Sequence, residues 1–300
     1  MRFRATLDNV STFFKIMQTI EKLQKKCIIQ FSENYMRIIC RNDANEGGVE
    51  VWSKIKVDSL FTNYRIQSMA DNTITLELYT EALLAALRSA TASSSNFSTF
   101  GTDVVTMRLA KKNNHAVLAL DIQASSRVGK PVSVTHDVMI ELMSPQDAER
   151  LNEPMCPDPN LHIILPPLHK LRTIVDRLKP MSDILAIRAN HNGCLRLSIN
   201  TESVKVNTEW RKCTLANFPD PTLSQEQEPE DQPDPDQLFS CLVSVRSFLK
   251  FLNSHVVSTT TIAAICQNHC IILYVYIGDV TDAGGVLTFY IPAIIDDENF

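Results

Sequence analysis

The first 31 residues, MRFRATLDNVSTFFKIMQTIEKLQKKCIIQF (Met1–Phe31), hold the pattern on which the fold turns. Arg2 to Leu7 alternates with the period of a strand. Asp8 or Asn9 follows, a short polar side chain able to satisfy the free backbone donors at a helix start. From Val10 to Lys26 the apolar residues Val10, Phe13, Met17 and Ile20 recur on one helical face, and Cys27–Phe31 returns to a strand-like run. Further strand-like runs lie at Tyr35–Cys40, Val49–Ile55 and Ile74–Leu78. A second helix is predicted over Tyr79–Ala92 with Leu83, Leu84 and Leu87 inward. Val104–Ala110, His115–Gln123 and Val132–Leu142 then alternate as strands, the first two joined through Lys111-Lys112-Asn113-Asn114.

Met143–Pro159 breaks this rhythm. It carries Pro145, Pro154, Pro157 and Pro159 and reads as a linker between domains. Beyond it the order returns: a strand at Leu161–Leu165, a helix at Leu168–Lys179, strands at Ile184–Ala189, Cys194–Asn200 and Val204–Lys212, and a helix near Val245–His255. Strands at Thr261–Cys266, Cys270–Ile277 and Val286–Ile291 end the pattern. The chain therefore reads as a domain-scale internal repeat. Its expected fold class is α+β, with two similar domains, 1–142 and 160–300, each placing two helices on antiparallel sheets. Asn217–Asp236 stands apart, with five prolines, seven acids and no base; such a stretch cannot bury enough apolar surface to offset its ordering entropy and reads as a disordered loop.

Composition narrows the function classes. Eight glycines are few, and no phosphate-cradling glycine motif occurs. No apolar run approaches the roughly 20 residues of a membrane span, and no apolar stretch follows the N-terminal charges as in a signal peptide. The eight cysteines sit mostly singly among apolar residues and read as reduced thiols.

The net charge of −5 hides a segregation. The predicted helices, 9–26, 79–92, 168–179 and 245–255, hold eleven bases: Lys15, Lys22, Lys25, Lys26, Arg88, Lys170, Arg172, Arg177, Lys179, Arg246 and Lys250. Against them stand Glu21, Glu81 and Asp176. The helices thus carry +8 and the remainder −13. In the first helix Lys15, Lys22 and Lys26 form a stripe opposite the apolar face. Solvated helix faces normally mix both signs, so this bias suits a polyanion. The bases are not interleaved with the Asn or Gln of a base reader, so phosphate contact without sequence readout is expected.

Chemistry-bearing sets are sparse. His136 and Asp137 are neighbours on a strand and point to opposite faces, so they cannot act as an acid–base pair. Cys266, His269 and Cys270 span a strand–turn–strand boundary without a second pair at ligand spacing, so no metal site is expected. No nucleophile-elbow or H-E-x-x-H motif occurs. A duplicated α+β enzyme binding a phosphorylated substrate on its basic helices has only this general plausibility.

Met1-Arg2-Phe3-Arg4-Ala5, Val49-Glu50-Val51-Trp52, Ile74-Thr75-Leu76-Glu77-Leu78, Thr135-His136-Asp137, Glu153-Pro154-Met155-Cys156-Pro157-Asp158-Pro159, Ile174-Val175-Asp176 and Tyr290-Ile291-Pro292-Ala293 follow one another along the whole chain. Together they resemble the Hus-type subunit of the heterotrimeric nine-one-one DNA-damage checkpoint clamp. The resemblance implies a DNA-clamp fold like that of proliferating cell nuclear antigen and a place in a three-subunit ring. The basic helices would face double-stranded DNA, gripped without sequence specificity. It also implies a nuclear, non-catalytic protein without cofactor or metal, whose partners are two related clamp subunits, a clamp loader, repair enzymes and the checkpoint kinase machinery. Subunits of such rings join strand to strand, which selects His136, Val138 and Ile140 on one edge and Val204, Val206, Thr208 and Trp210 on another. Client peptides would wedge beneath the linker, against Met143, Leu151, Met155, Tyr290, Ile291 and Pro292. The acidic segment 217–236 is where the chain departs from the family. A homotrimeric replicative clamp shares the same physics and is the nearest alternative.

Overall fold

The structure is a computed structural model that describes residues 1–41, 48–96, 104–125, 131–216 and 234–294. The chain forms two compact units. One comprises Met1–Arg41, Val51–Glu153 and Ile277–Leu287; the other comprises Asn42–Glu50, Pro154–Tyr276 and Thr288–Phe300.

The first unit follows the order β1 (Arg2–Leu7), α1 (Val10–Glu21), β2 (Lys26–Phe31), β3 (Tyr35–Cys40), β4 (Glu50–Lys56), α2 (Val57–Leu60), β5 (Phe61–Gln67) and β6 (Ile74–Tyr79). It continues with α3 (Thr80–Asn96), β7 (Val104–Lys112), β8 (His115–Ser125), β9 (Pro131–Leu142) and α4 (Pro145–Glu149). Its strands lie side by side as β4-β3-β2-β6-β9-β8-β7-β1-β5, every neighbouring pair antiparallel. The second unit has β10 (Leu161–Ile164), α5 (Leu168–Leu178), β11 (Ile184–Ala189), β12 (Leu195–Asn200), β13 (Lys205–Trp210), β14 (Phe239–Ser244) and α6 (Val245–Leu252). After these come β15 (Thr260–Cys266), β16 (Cys270–Ile277) and β17 (Gly285–Pro292), whose residues up to Leu287 count with the first unit. Its strands run side by side as β13-β12-β11-β14 and as β10-β15-β16-β17.

The repeat expected from the sequence is the order observed. Helix α5 starts 158 residues after α1, and α6 starts 165 after α3. In each unit two helices pack against one another, α1 with α3 and α5 with α6. Their apolar faces explain why. Phe13, Ile16, Met17 and Ile20 of α1 are fully buried, with the Phe13 ring 6.1 Å from that of Phe61. Leu168, Leu171, Val175 and Leu178 form the matching stripe on α5. On α6, Phe248 and Phe251 are buried, and Phe251 meets Phe289 edge to face at 5.2 Å.

The expected start of α1 is observed: Asn9 Oδ1 accepts a hydrogen bond from the Thr12 N–H at 3.2 Å. Its end is not where the apolar spacing puts it. The helix stops at Glu21 in a tight turn, where the Leu23 and Gln24 N–H groups both donate to Ile20 O, and the next residues are held to the start of α3. The Thr80 hydroxyl donates to Gln24 O at 2.9 Å and to Lys25 O at 3.0 Å, and the Thr80 N–H donates to Lys25 O. Lys26 then starts β2, opposite Tyr79. Two strands have no clear signal in the sequence. In β5, Asn63 has a left-handed backbone (φ 47°) and the partner register shifts between Arg4 and Thr6, so its alternation is broken. In β14, Phe239, Cys241 and Val243 do alternate inward, but the run is short and adjoins the acidic stretch. The expected linker contains α4, capped by Ser144, whose Oγ accepts from the Asp147 N–H at 3.2 Å. The acidic segment 217–236 lies outside the described residues except for 234–236. Among the described residues no helix is long and apolar enough to cross a membrane.

Phe13→Ala is expected to lower the unfolding free energy by about 3–5 kcal/mol. Lys15→Ala, two residues away on the exposed face, is expected to change it by no more than about 0.5 kcal/mol. Urea titrations of the two variants check both values.

Candidate nucleic-acid and subunit interfaces

Burying an apolar helical stripe forces the opposite stripe outward. Nine of the eleven candidate bases lie on helices or on their C-caps. Lys15 and Lys22 share the exposed side of α1, Arg88 lies on α3, Lys170, Arg172, Arg177 and Lys179 on α5, and Arg246 and Lys250 on α6. All are exposed except the half-buried Arg172. Lys22 and Lys179 occupy C-caps, where a cation also meets the negative end of the helix dipole.

Local pairing divides this set. Lys22 is 3.0 Å from Glu21, Arg172 is 3.7 Å from Asp176, and Arg246 is 3.5 Å from Asp183. Among the described residues, Lys15, Lys25, Arg88, Lys170, Arg177, Lys179 and Lys250 have no carboxylate within 4.0 Å. Their charge is available to a ligand.

Lys25 and Lys26 correct the expectation that both are helical. Lys25 lies exposed between α1 and β2. Lys26, on β2, is 3.1 Å from Glu77 and 3.8 Å from Glu141, and its ammonium stands 5.1 Å from the centre of the Tyr79 ring. The hydrogen bond to Glu77, then the charge of that carboxylate, raises the Lys26 pKa and keeps it cationic. A lysine already held by two carboxylates is a poor phosphate contact, so Lys26 leaves the candidate set. It belongs instead to the wall of a cavity of about 310 Å³ lined by Glu77, Tyr79, His115, Met139 and Glu141.

The candidate subunit edges exist, but with inverted parity. Among the described residues, strand β13 ends its sheet and pairs only with β12. The Thr201 N–H donates to Val204 O at 3.0 Å, and antiparallel pairs alternate between bonded and non-bonded. Val206 therefore directs its N–H to Ile199 within the sheet. Lys205, Asn207 and Glu209 point theirs to the open side. The side chains of Val206, Thr208 and Trp210 lie half-buried on the face shared with the buried Leu195, Leu197 and Ile199, and Val204 is likewise half-buried.

Strand β9 pairs with β8 from Pro131 to Met139 and with β6 only from Ile140 to Leu142. The Met143 N–H donates to Thr75 O, so odd-numbered residues aim their N–H toward the β6 side. From Ser133 to Met139 that side has no paired strand among the described residues. Val138 and Ile140 are buried in their own unit, and His136 is half-buried. The residues that face outward are Thr135, Asp137 and Met139, with Met139 58% exposed.

Ile291 is fully buried in β17 and cannot offer an apolar anchor to a client. Tyr290 packs on Ala264, Cys266, Cys270 and Ile272. Met155 is fully accessible, Met143 and Leu151 are half-buried, and Pro292 is exposed. Next to Tyr290 in this cluster, the ligand atoms of Cys156, His269 and Cys270 lie within 4.8 Å of one another. Sequence spacing groups His269 and Cys270 with Cys266 alone and leaves Cys156 in the linker.

The chain and its fold have counterparts among known proteins. A family model described as Hus1-like protein matches residues 1–295. The chain is similar to Checkpoint protein hus1 of Schizosaccharomyces pombe, 31% identical over 299 residues and covering 99% of this chain and 100% of that protein. It is similar to Checkpoint protein HUS1 of Homo sapiens, 28% identical over 305 residues and covering 98% and 100%. Among solved structures it resembles Proliferating Cellular Nuclear Antigen from Entamoeba histolytica, with a TM-score of 0.69 at 13% identity over 98% of this chain and 99% of that one. The fold is the clamp fold of that protein.

The parity of β13 predicts a contrast between adjacent prolines. Val206→Pro removes a donor from its own sheet and is expected to cost about 1–3 kcal/mol. Asn207→Pro, with its N–H on the open side, is expected to cost less than about 1 kcal/mol. Denaturant midpoints of the two variants test the assignment; equal losses would count against it.

Proposed function

The chain belongs to the Hus1-like family, and on that premise we propose that it is a non-catalytic checkpoint-clamp subunit that helps to encircle double-stranded DNA. One observation carries the reading. Each unit packs two helices whose outward bases are largely without carboxylate partners, while of the acids described on those helices Glu21 and Asp176 are spent on neighbouring bases and only Glu81, in the first turn of α3, is not. Long, flexible cations on rigid helices suit phosphates and do not suit base edges. A ring lined in this way retains a duplex by closure and weak electrostatic contact and performs no reaction. On this reading the protein works in the nucleus, is placed on DNA by a clamp loader, and presents repair enzymes and checkpoint kinase machinery to the duplex.

The two open edges support the assembly half of the proposal. A strand with unmet N–H groups on one side is a template for a strand of another chain. One edge, β9, is in the first unit and the other, β13, is in the second, so one subunit can meet two different neighbours. The exposed apolar side chains Val132 and Val134, at the start of β9, add surface that a neighbour would cover. For client docking, the accessible Met155 is the member of the expected pocket that remains a candidate anchor.

Two measurements on the three-subunit assembly test this reading. Neutralising Lys15, Arg88, Lys170 or Arg177 is expected to lower the magnitude of the log affinity–log salt slope by about 0.9 for each phosphate that the side chain neutralises. Lys26→Gln is expected to leave that slope in place. Unchanged slopes for all four bases would remove the DNA-facing assignment. Separately, Asn207→Pro is expected to block joining to one partner subunit and spare the other. Joining to both, judged by co-purification, would exclude β13 as a ring contact.

A further inference from the structure

We propose that Cys156, His269 and Cys270, with Cys266 as fourth donor, form a zinc site that fastens the Cys156–Asn160 segment to the β15–β16 hairpin. The four residues all belong to the second unit, and the proposal is independent of the clamp reading. The hairpin supplies three of them. Cys266 ends β15, Cys270 starts β16, and the two are partners in register. The turn between them closes through the His269 N–H donating to Cys266 O at 3.0 Å, with Asn268 left-handed at φ 56°. That turn places the exposed imidazole of His269 beside the thiol of Cys270.

The fourth residue comes from a segment already strapped to the hairpin. The Gln267 N–H donates to Asn160 Oδ1 at 2.8 Å, the Asn160 N–H donates to Ile265 O at 2.9 Å, and the Cys266 thiol donates to Pro157 O at 3.4 Å. These bonds hold Cys156 half-buried against Cys266 and Cys270. The Cys156, His269 and Cys270 ligand atoms lie within 4.8 Å of one another. Cys266 lies outside that trio and joins it as the cross-hairpin partner of Cys270, in the same buried cluster.

Donor chemistry selects the ion. Three thiols and an imidazole form a soft N/S set, suited to tetrahedral zinc and unsuited to magnesium or calcium, which need oxygen. Zinc–sulfur bonds of about 2.3 Å at tetrahedral angles place sulfurs about 3.8 Å apart, so the three closest donors need to close by no more than about 1 Å. Exposure of His269 leaves a path by which the ion enters. Burial of Cys266 and the neighbouring Ala264 and Ile272 closes the opposite side, as in a structural site.

The test uses the full-length chain, reduced and stripped with a chelator, and titrated with Co²⁺ alone. About one equivalent is expected to give the d–d and thiolate charge-transfer bands of a tetrahedral site. Zn²⁺ is then expected to bleach them and to raise the thermal midpoint. Cys156→Ser and Cys270→Ser should abolish the bands, whereas Cys27→Ser, in the first unit, should keep them. Should the Cys270 variant fail to fold, His269→Ala, in an exposed turn, serves instead. Loss of a partner outside the ligand set already costs about 10–100-fold in affinity, so loss of this ligand is expected to cost about tenfold or more. Absence of the bands in the reduced wild-type chain overturns the proposal. So does a Co²⁺ affinity unaltered by both Cys156→Ser and His269→Ala.

Discussion

The constraint on which the rest depends is the burial of the apolar stripe of each long helix. A stripe such as Phe13, Ile16, Met17 and Ile20 is worth several kcal/mol only when it is removed from water. Once the stripe is buried, the face opposite has no freedom of orientation. Lys15 and Lys22 are exposed because Phe13 and Ile20 are not, and Lys250 is exposed because Phe248 and Phe251 are not. The basic character of the helices is therefore a consequence of packing combined with the choice of residue at positions the core does not use. Packing does not require those positions to be basic, and that surplus choice is what points to a polyanion.

A second constraint acts through the strands. Side chains alternate between faces with period two, and backbone N–H groups alternate between edges with the same period. In both β9 and β13 the residues with inward side chains direct their N–H into the unit's own ladder. The residues available for another chain are their odd-numbered neighbours. A substitution meant to disturb assembly must respect both alternations, since Val206 supports its own sheet whereas Asn207 faces outward.

Local pattern makes much of the fold legible. The helix faces, the domain-scale repeat and most strands follow from periodicities of two and 3.6 residues, which need no knowledge of distant residues. What escapes the pattern depends on long-range contact. Just past the end of α1, Gln24 and Lys25 are held by Thr80, a residue far along the chain that the helical pattern does not register. Lys26 is neutralised by Glu77 and Glu141, which only sheet pairing brings to it. Edge parity requires knowing which neighbour each strand has. The approach of Cys156 to Cys270 requires the path of the segment around Asn160, which no motif spacing records. The burial of Ile291 is within reach of the pattern, since Leu287, Phe289 and Ile291 alternate as an inward face.

A net charge of −5 does not oppose DNA binding once distances are considered. At physiological ionic strength the Debye length is about 8 Å, and a helix with its side chains is about 10–12 Å across. A phosphate at the outer face of α1 or α5 meets the bases of that face at contact range. Acids close enough to matter, such as Glu21, Asp176 and Asp183, already sit 3.0–3.7 Å from a base, so each cancels one local charge and leaves the neighbouring free bases unaffected. The quantity that governs retention is thus the number of unpaired cations on the helix faces, whereas the net charge of the chain chiefly governs its solubility and its repulsion from other copies.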